Sequence, residues 1–245
     1  MLVLVFVAGL WAGLQNTLAG GGSFVTLPAL ILAGLTPLAA NITSTVALFP
    51  GQVTAGVAGR RLVEGVRGLS FRVLLAISLA GGAVGGLLLL NTPATIFARL
   101  VPWLVLFATA VFAWGSFRRR PVEGAAHLGP VGAGIAQFLI AIYGGYFGGG
   151  IGFLMLAALT MAGLATRAAG ATKNALAGAM NASAVLLFVA SPQVHWTPAA
   201  VLGAGAILGG LAGAWALRRV NERLLRAAIV VLGLALTAGL FLRPI

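Results

Sequence analysis

The feature that most constrains this chain is where it has no charge. Residues 1–59 contain no Asp, Glu, Lys or Arg. The stretches 73–98, 100–117, 129–166, 174–217 and 227–242 are equally free of them. A helix crossing the hydrocarbon core needs about 20 apolar residues, so these runs hold several spans and the chain reads as polytopic. The N-terminus, MLVLVFVAGLWAG, has no basic n-region, and its apolar stretch outlasts any signal-peptide core. It reads as mature structure.

Composition excludes the other classes. Of the 245 residues 60% are apolar and 7% charged, with a mean hydropathy of +1.09. A soluble domain carries about 25% charged residues, and disorder requires low hydrophobicity. The formal charge of +12 does not indicate a nucleic-acid partner, because the basic residues fall in short clusters between apolar runs. There is no cysteine, no Asp, and only Glu64, Glu123 and Glu222 on the acidic side. Nothing in this set forms a thiolate metal site, and no metal or cofactor is expected. The many glycines lie at small-xxx-small spacing, as in Gly9–Gly13, Gly81–Gly85 and Gly209–Gly213, the pattern of closely packed membrane helices.

The chain repeats itself. GGGSFVTLPALILAGLTPLAANITST from Gly20 parallels GGGIGFLMLAALTMAGLATRAAGATKN from Gly148, with one residue inserted before Gly163. GGAVGG at 81–86 parallels GGLAG at 209–213, again about 128 residues on. Internal duplication inside a membrane chain is a transporter signature. Equivalent loops carry opposite character: 60–72 is basic where 191–198 is neutral, and 91–95 is neutral where 218–226 is basic. Positive loops stay cytoplasmic, so the halves are expected to be inverted. Arg99 and Arg243 are exceptions near helix ends, where snorkelling is cheap.

The expected fold is an all-α polytopic membrane protein of two inverted repeats, residues 1–116 and 129–245, joined by a basic cytoplasmic linker at 117–128. Each repeat has about five helical segments. The first has helices near 2–19, 23–35, 38–59, 70–90 and 96–116; the second near 129–147, 151–164, 168–190, 198–217 and 224–242. The segment 23–35 is roughly 20 Å long, too short for a core of about 30 Å. The glycine triplets are therefore expected at membrane depth, as tips of re-entrant or broken helices.

Irregular backbone at that depth survives only where protein or a water-filled cavity satisfies it. Each triplet precedes a helix N-terminus, whose free N–H groups and partial positive charge suit an anion. The candidate substrate-binding set is Gly20, Gly21, Gly22 and Ser23 with Gly148, Gly149 and Gly150. A polar cluster early in each long helix joins it: Asn41, Thr43, Ser44 and Thr45, matched by Thr172, Lys173 and Asn174. Lys173 is the only lysine and stands four to six residues into an apolar segment. A charge there is a functional hypothesis by default; the competing explanation is snorkelling beside Arg167. Gln52 and Asn181 hold nearly equivalent positions and are candidates to line the pathway. Gln15, Asn16, Gln137, Tyr143 and Ser183 read as interhelical hydrogen-bonding groups. Trp11, Trp103, Trp114 and Trp196 read as interfacial anchors. No carboxylate lies in a spanning run and His127 and His195 are in loops, which disfavours a proton antiporter or a metal-ion carrier.

The repeated motif resembles the sulfite exporter TauE/SafE family, a group of permeases for anions and organosulfur compounds, over essentially the whole chain. The family's signature positions would fall on Gly20, Gly21, Gly22, Pro28, Gly34, Ala40 and Thr43, and in the second half on Gly148, Gly149, Gly150, Gly163, Ala169 and Thr172. The second copy departs from it: Leu156 or Ala157 stands where Pro28 would be, and Lys173 and Asn174 replace Ser44 and Thr45. The resemblance implies a bacterial inner-membrane permease exporting sulfite or small sulfonate anions.

The leading expectation is a secondary transporter of such an anion, with the lipid bilayer and the substrate as its partners and homo-oligomerisation open. A passive channel, or a permease for another small anion such as a carboxylate, is the alternative. An intramembrane hydrolase would need a Ser–Lys dyad from Ser23 or Ser44 with Lys173, and nothing else in the chain supports that.

Overall fold

The computed structural model describes residues 1–18, 21–117, 128–216 and 222–242. Gly20, most of the linker at 117–128 with Glu123 and His127, part of the basic loop at 218–226, and Arg243 lie outside the described residues.

Ten α-helices account for nearly all of the described chain. The first five are α1 (Leu2–Leu18), α2 (Ser23–Leu32), α3 (Pro37–Ala58), α4 (Phe71–Leu90) and α5 (Ala94–Phe117). The second five are α6 (Pro130–Tyr146), α7 (Ile151–Met161), α8 (Thr166–Phe188), α9 (Trp196–Ala216) and α10 (Glu222–Leu242). The boundaries fall within a few residues of those read from the sequence. The basic loop after α3 adds a 3-10 turn at Arg60–Leu62 and an isolated bridge between Val66 and Leu69. Phe71–Leu90 and Ala94–Ser116 are long and apolar enough to cross a bilayer. α2 and α7, at 10 and 11 residues, reach only about 15 Å.

Both short helices end in the same way. Gly34 and Gly163 each adopt φ +97°. Gly34 N–H bonds Ile31 O and Leu35 N–H bonds Leu30 O; Gly163 N–H bonds Thr160 O and Leu164 N–H bonds Leu159 O. This is a Schellman closure, which needs a left-handed residue and so selects glycine. The offset of 129 residues matches the single insertion seen in the sequence.

The most extensive helix contacts are α1 against α9 and α4 against α6, followed by α4 against α8 and α3 against α8. Glycine sets the closeness of these seams. A Cβ at Gly9 or Gly13 would run into the carbonyls of Leu202 and Ala206, and one at Gly205 or Gly209 into those of Phe6 and Leu10. On the other seam, a Cβ at Gly85 would strike Ile142 O, and one at Gly81 would lie 2.6 Å from Ala141 Cβ. Lipid tails are as apolar as leucine, so such backbone approach, not hydrophobic exclusion, drives association in a bilayer. Residues facing outward are apolar: Val3, Val131 and Leu186 are each more than 70% exposed. The four expected anchors Trp11, Trp103, Trp114 and Trp196 are exposed as well.

Gly9→Val and Gly85→Val should each cost about 1–3 kcal/mol by overpacking, read as a fall of several degrees in the melting temperature of the purified protein. Gly239→Ala, with open space around its Cα, should leave that temperature unchanged.

Candidate functional site

The two glycine turns meet the same face of α5. The ring of Phe112 lies 3.2 Å from where a Cβ of Gly21 would sit, and the carbonyl of Ala108 lies 3.1 Å from that of Gly150. Ala108 and Phe112 are one helical turn apart on α5. Phe112 packs edge-on against Phe24 (5.9 Å between centroids) and Phe153 (4.6 Å). An aromatic wedge therefore separates the triplets, where the sequence led us to expect one shared anion site.

The first triplet is fastened by side chains of α1. Gln15 Nε2 donates to Gly21 O at 2.7 Å, and Gly22 N–H donates to Asn16 Oδ1 at 2.8 Å. Gln15 is itself held by Trp11 Nε1 at 3.1 Å. Gly22 N–H is thus already occupied, contrary to the expectation that the triplet glycines expose theirs. Ser44 on α3 shares a 2.6 Å hydrogen bond with Thr26 on α2, and Thr26 also reaches Gly22 O at 3.4 Å. The hydroxyl of Ser23 has no partner among the described residues.

The second triplet is buried at Gly149 and Gly150 but is fastened by no side chain. Gly148 and Gly150 take left-handed φ values of +81° and +74°, conformations favourable to glycine alone. Phe153 and Leu154 N–H bond Gly150 O. The N–H groups of Gly149, Gly150, Ile151 and Gly152 have no acceptor among the described residues, and no side chain caps α7. Lys173 reaches this end. Its Nζ lies 3.7 Å, and its Cδ 3.8 Å, from the position of a Gly152 Cβ, which shows the ammonium alongside the first turn of α7. Lys173 is the eighth residue of α8, about 10 Å from the helix start and deeper than the sequence indicated. Lys173 forms no ion pair among the described residues, although Glu64 is held by its backbone against the adjacent Thr172. Asn41 on α3 completes this side, donating from Nδ2 to Tyr146 O at 3.1 Å.

Thr43 and Thr172 have other partners. Thr43 Oγ1 accepts from His195 N–H at 3.1 Å and reaches Gln193 O at 3.5 Å. Thr172 Oγ1 accepts from Glu64 N–H at 3.0 Å and donates to Glu64 O at 3.1 Å. Each threonine ties the long helix of one half to a loop of the other, and its hydrogen-bonding capacity goes to that backbone. Thr45 bonds Asn41 O within its own helix. Asn174 presents its backbone to Gly56. Gln52 and Asn181 hydrogen-bond each other across α3 and α8. They join the helices at a place removed from Lys173, which at 100° per residue projects from the opposite face of α8 to Ala175, Gly178, Ala179 and Ala182. Sequence reasoning assigned Gln15 and Asn16 only a general packing role and passed over Gly152. The position of those amides six residues ahead of Gly21 and Gly22, inside a charge-free run, was the available signal.

Comparison with known proteins accords with this architecture. Residues 5–240 match the family described as Sulfite exporter TauE/SafE, and the chain belongs to it. It is similar to a probable membrane transporter protein of Haemophilus influenzae, 29% identical over 97% of this chain and 93% of that one. It is 30% identical to the probable membrane transporter protein ORF9 of Sinorhizobium, covering 100% and 94% of the two chains. It is also 30% identical to the probable membrane transporter protein YfcA of Escherichia coli, covering 97% and 88%. The family places the chain among membrane transporters, not enzymes.

The amide fasteners make a local prediction. Asn16→Leu should remove about 1 kcal/mol from the closed first turn, so the Gly22 amide should exchange with deuterium roughly fivefold faster.

Proposed function

We propose that this member of the sulfite exporter TauE/SafE family is a multi-pass secondary transporter of the bacterial inner membrane that exports sulfite or a small organosulfur or sulfonate anion. The observation that carries the anion site is Lys173: a lone ammonium beside the uncapped N-terminus of α7, with several free peptide N–H groups and no ion pair among the described residues. Such a site gives an oxyanion charge-assisted hydrogen bonds and a favourable helix dipole. Gly148–Gly150 and Lys173 are its centre, and Asn41 steadies the approach from α6. The triplet at Gly20–Ser23 is the counterpart in the other half, with Ser23 and Ser44 as its free or shareable hydroxyls.

Two inverted repeats, 1–116 and 129–245 about the linker 117–128, would carry this site. The matched closures at Gly34 and Gly163 support them, as does the exchange of partners in which α1 packs on α9 as α6 packs on α4. Alternating access by rocking one repeat against the other finds support in an inequality between them. α4 lies tightly along α8, where Cβ atoms at Gly82 and Gly86 would meet Met180 O and Ala184. The counterpart stretch of α3 is open: Gly51, Thr54, Ala55 and Ala58 are exposed, and α9 meets α3 nearer its start, at Gly203 against Ala47. This inequality supports a carrier open toward the basic loop at 60–72, the cytoplasmic side by its charge.

Sulfite, sulfoacetate or taurine, whichever is carried, should raise the melting temperature of the purified protein, and Lys173→Ala should weaken that ligand at least about tenfold. Unchanged binding would remove Lys173 from the site. Saturable flux with counterflow in liposomes is expected; single-channel current would identify a passive channel instead. The native chain has no cysteine, so Thr54→Cys gives a single thiol. It should react with an impermeant maleimide from the cytoplasmic side and be slowed by substrate.

A further inference from the structure

A cavity of about 560 Å³ runs along the face of α8 that Lys173 does not use. α3 contributes Phe49, Val53 and Val57, the following loop Val63, and the start of α4 Phe71. α8 forms the floor with Gly178, Ala179 and Ala182, small residues that leave the depth. Two polar groups border it. Gln52 is committed to Asn181, and Arg60 stands exposed at the end nearest the basic loop. The groove opens sideways: Val53 is 40% and Val57 52% exposed.

We propose that this groove is a binding site for an anionic phospholipid of the cytoplasmic leaflet, with the acyl chain along α3 and α8 and the headgroup phosphate on Arg60. The inference rests on the bilayer placement and cytoplasmic orientation given above, not on the identity of the carried anion. Three observations select this occupant. From Phe49 to Arg60 the groove follows α3 for about 16 Å, close to half of a hydrocarbon core of about 30 Å, so it has the depth of one leaflet. Apart from Gln52, whose amide is committed to Asn181, its walls are apolar below the mouth, which suits a tail below a charged head and does not suit a hydrated anion in transit. Arg60 at the mouth opens a basic loop in which Arg60, Arg61, Arg67 and Arg72 outnumber a single acid, Glu64, and none of them forms an ion pair among the described residues. Basic residues at the level of the headgroups attract anionic lipid.

The test uses the full chain in an uncharged detergent, titrated with dioleoyl phosphatidylglycerol or dioleoyl phosphatidylcholine and followed by native mass spectrometry and thermal melting. Phosphatidylglycerol should bind at least about fivefold more tightly than phosphatidylcholine. Arg60→Gln should abolish that preference. Ala179→Phe should fill the floor and remove the advantage of an 18-carbon over an 8-carbon chain; Ala182→Val is the milder variant if the larger one does not fold. Both should retain the sulfonate-induced stabilisation that Lys173→Ala loses, so the two readings fail separately. Equal binding of the two lipids, or no response to Arg60→Gln, would overturn the proposal. So would a dimer lost in Ala179→Phe without lipid dependence, which would give the groove to a second copy of the chain. Loss of substrate flux with lipid binding intact would make it part of the anion route and overturn the proposal as well.

Discussion

The structure depends on backbone-to-backbone contact between helices. Along α1–α9 and α4–α6, glycines replace side chains at successive turns, and carbonyls of the partner helix occupy the vacated space. In lipid this packing must come from dispersion and dipolar contact, since there is no water to expel. Everything less regular is built on those two seams. α1 and α6, at 17 residues each, are shorter than the α9 and α4 they pack against, and the chain turns through glycine after each.

The glycine turns then diverge. In the first half the amides of Gln15 and Asn16 satisfy the turn and Thr26 and Ser44 brace it, so it is a closed and fastened corner. In the second half Tyr143 and Gly144 stand where Gln15 and Asn16 would be, no amide side chain reaches back, and Lys173 approaches without an ion pair among the described residues. The two turns match in sequence but not in backbone, since Gly22 is right-handed where Gly150 is left-handed, and the side chains around them fasten the first and leave the second with donors to spare. Phe112 separates the two, edge-on to Phe24 and Phe153.

Much of the fold was legible because apolar periodicity and charge exclusion are local. The ten helices, the shortness of α2 and α7, and the Gly9–Gly13 and Gly81–Gly85 contacts all followed from residues near each other in the chain. What was not legible is set by partners more than a hundred residues away. Thr43 and Thr172 read as ligands because they are polar and match between the halves, yet each hydroxyl is occupied by a loop of the other half. Gln52 and Asn181 bond each other across α3 and α8, which a repeat alignment places at equivalent positions without showing that they touch. The Phe112 wedge carries no motif at all, since a phenylalanine in an apolar helix looks the same whether it faces lipid or fills the centre.

The reciprocal threonine ties have a consequence for how the polypeptide is made. Thr172 is synthesised long after Glu64, and the backbone that Thr43 grips, around Gln193 and His195, emerges later still. Until the ribosome has delivered the second half, the first has its Thr43 hydroxyl vacant, α4 without α6 and α8, and α1 without α9. An N-terminal fragment would therefore be an unfinished object in the bilayer, a ready substrate for quality-control proteases. Two separately encoded halves would persist only when produced together.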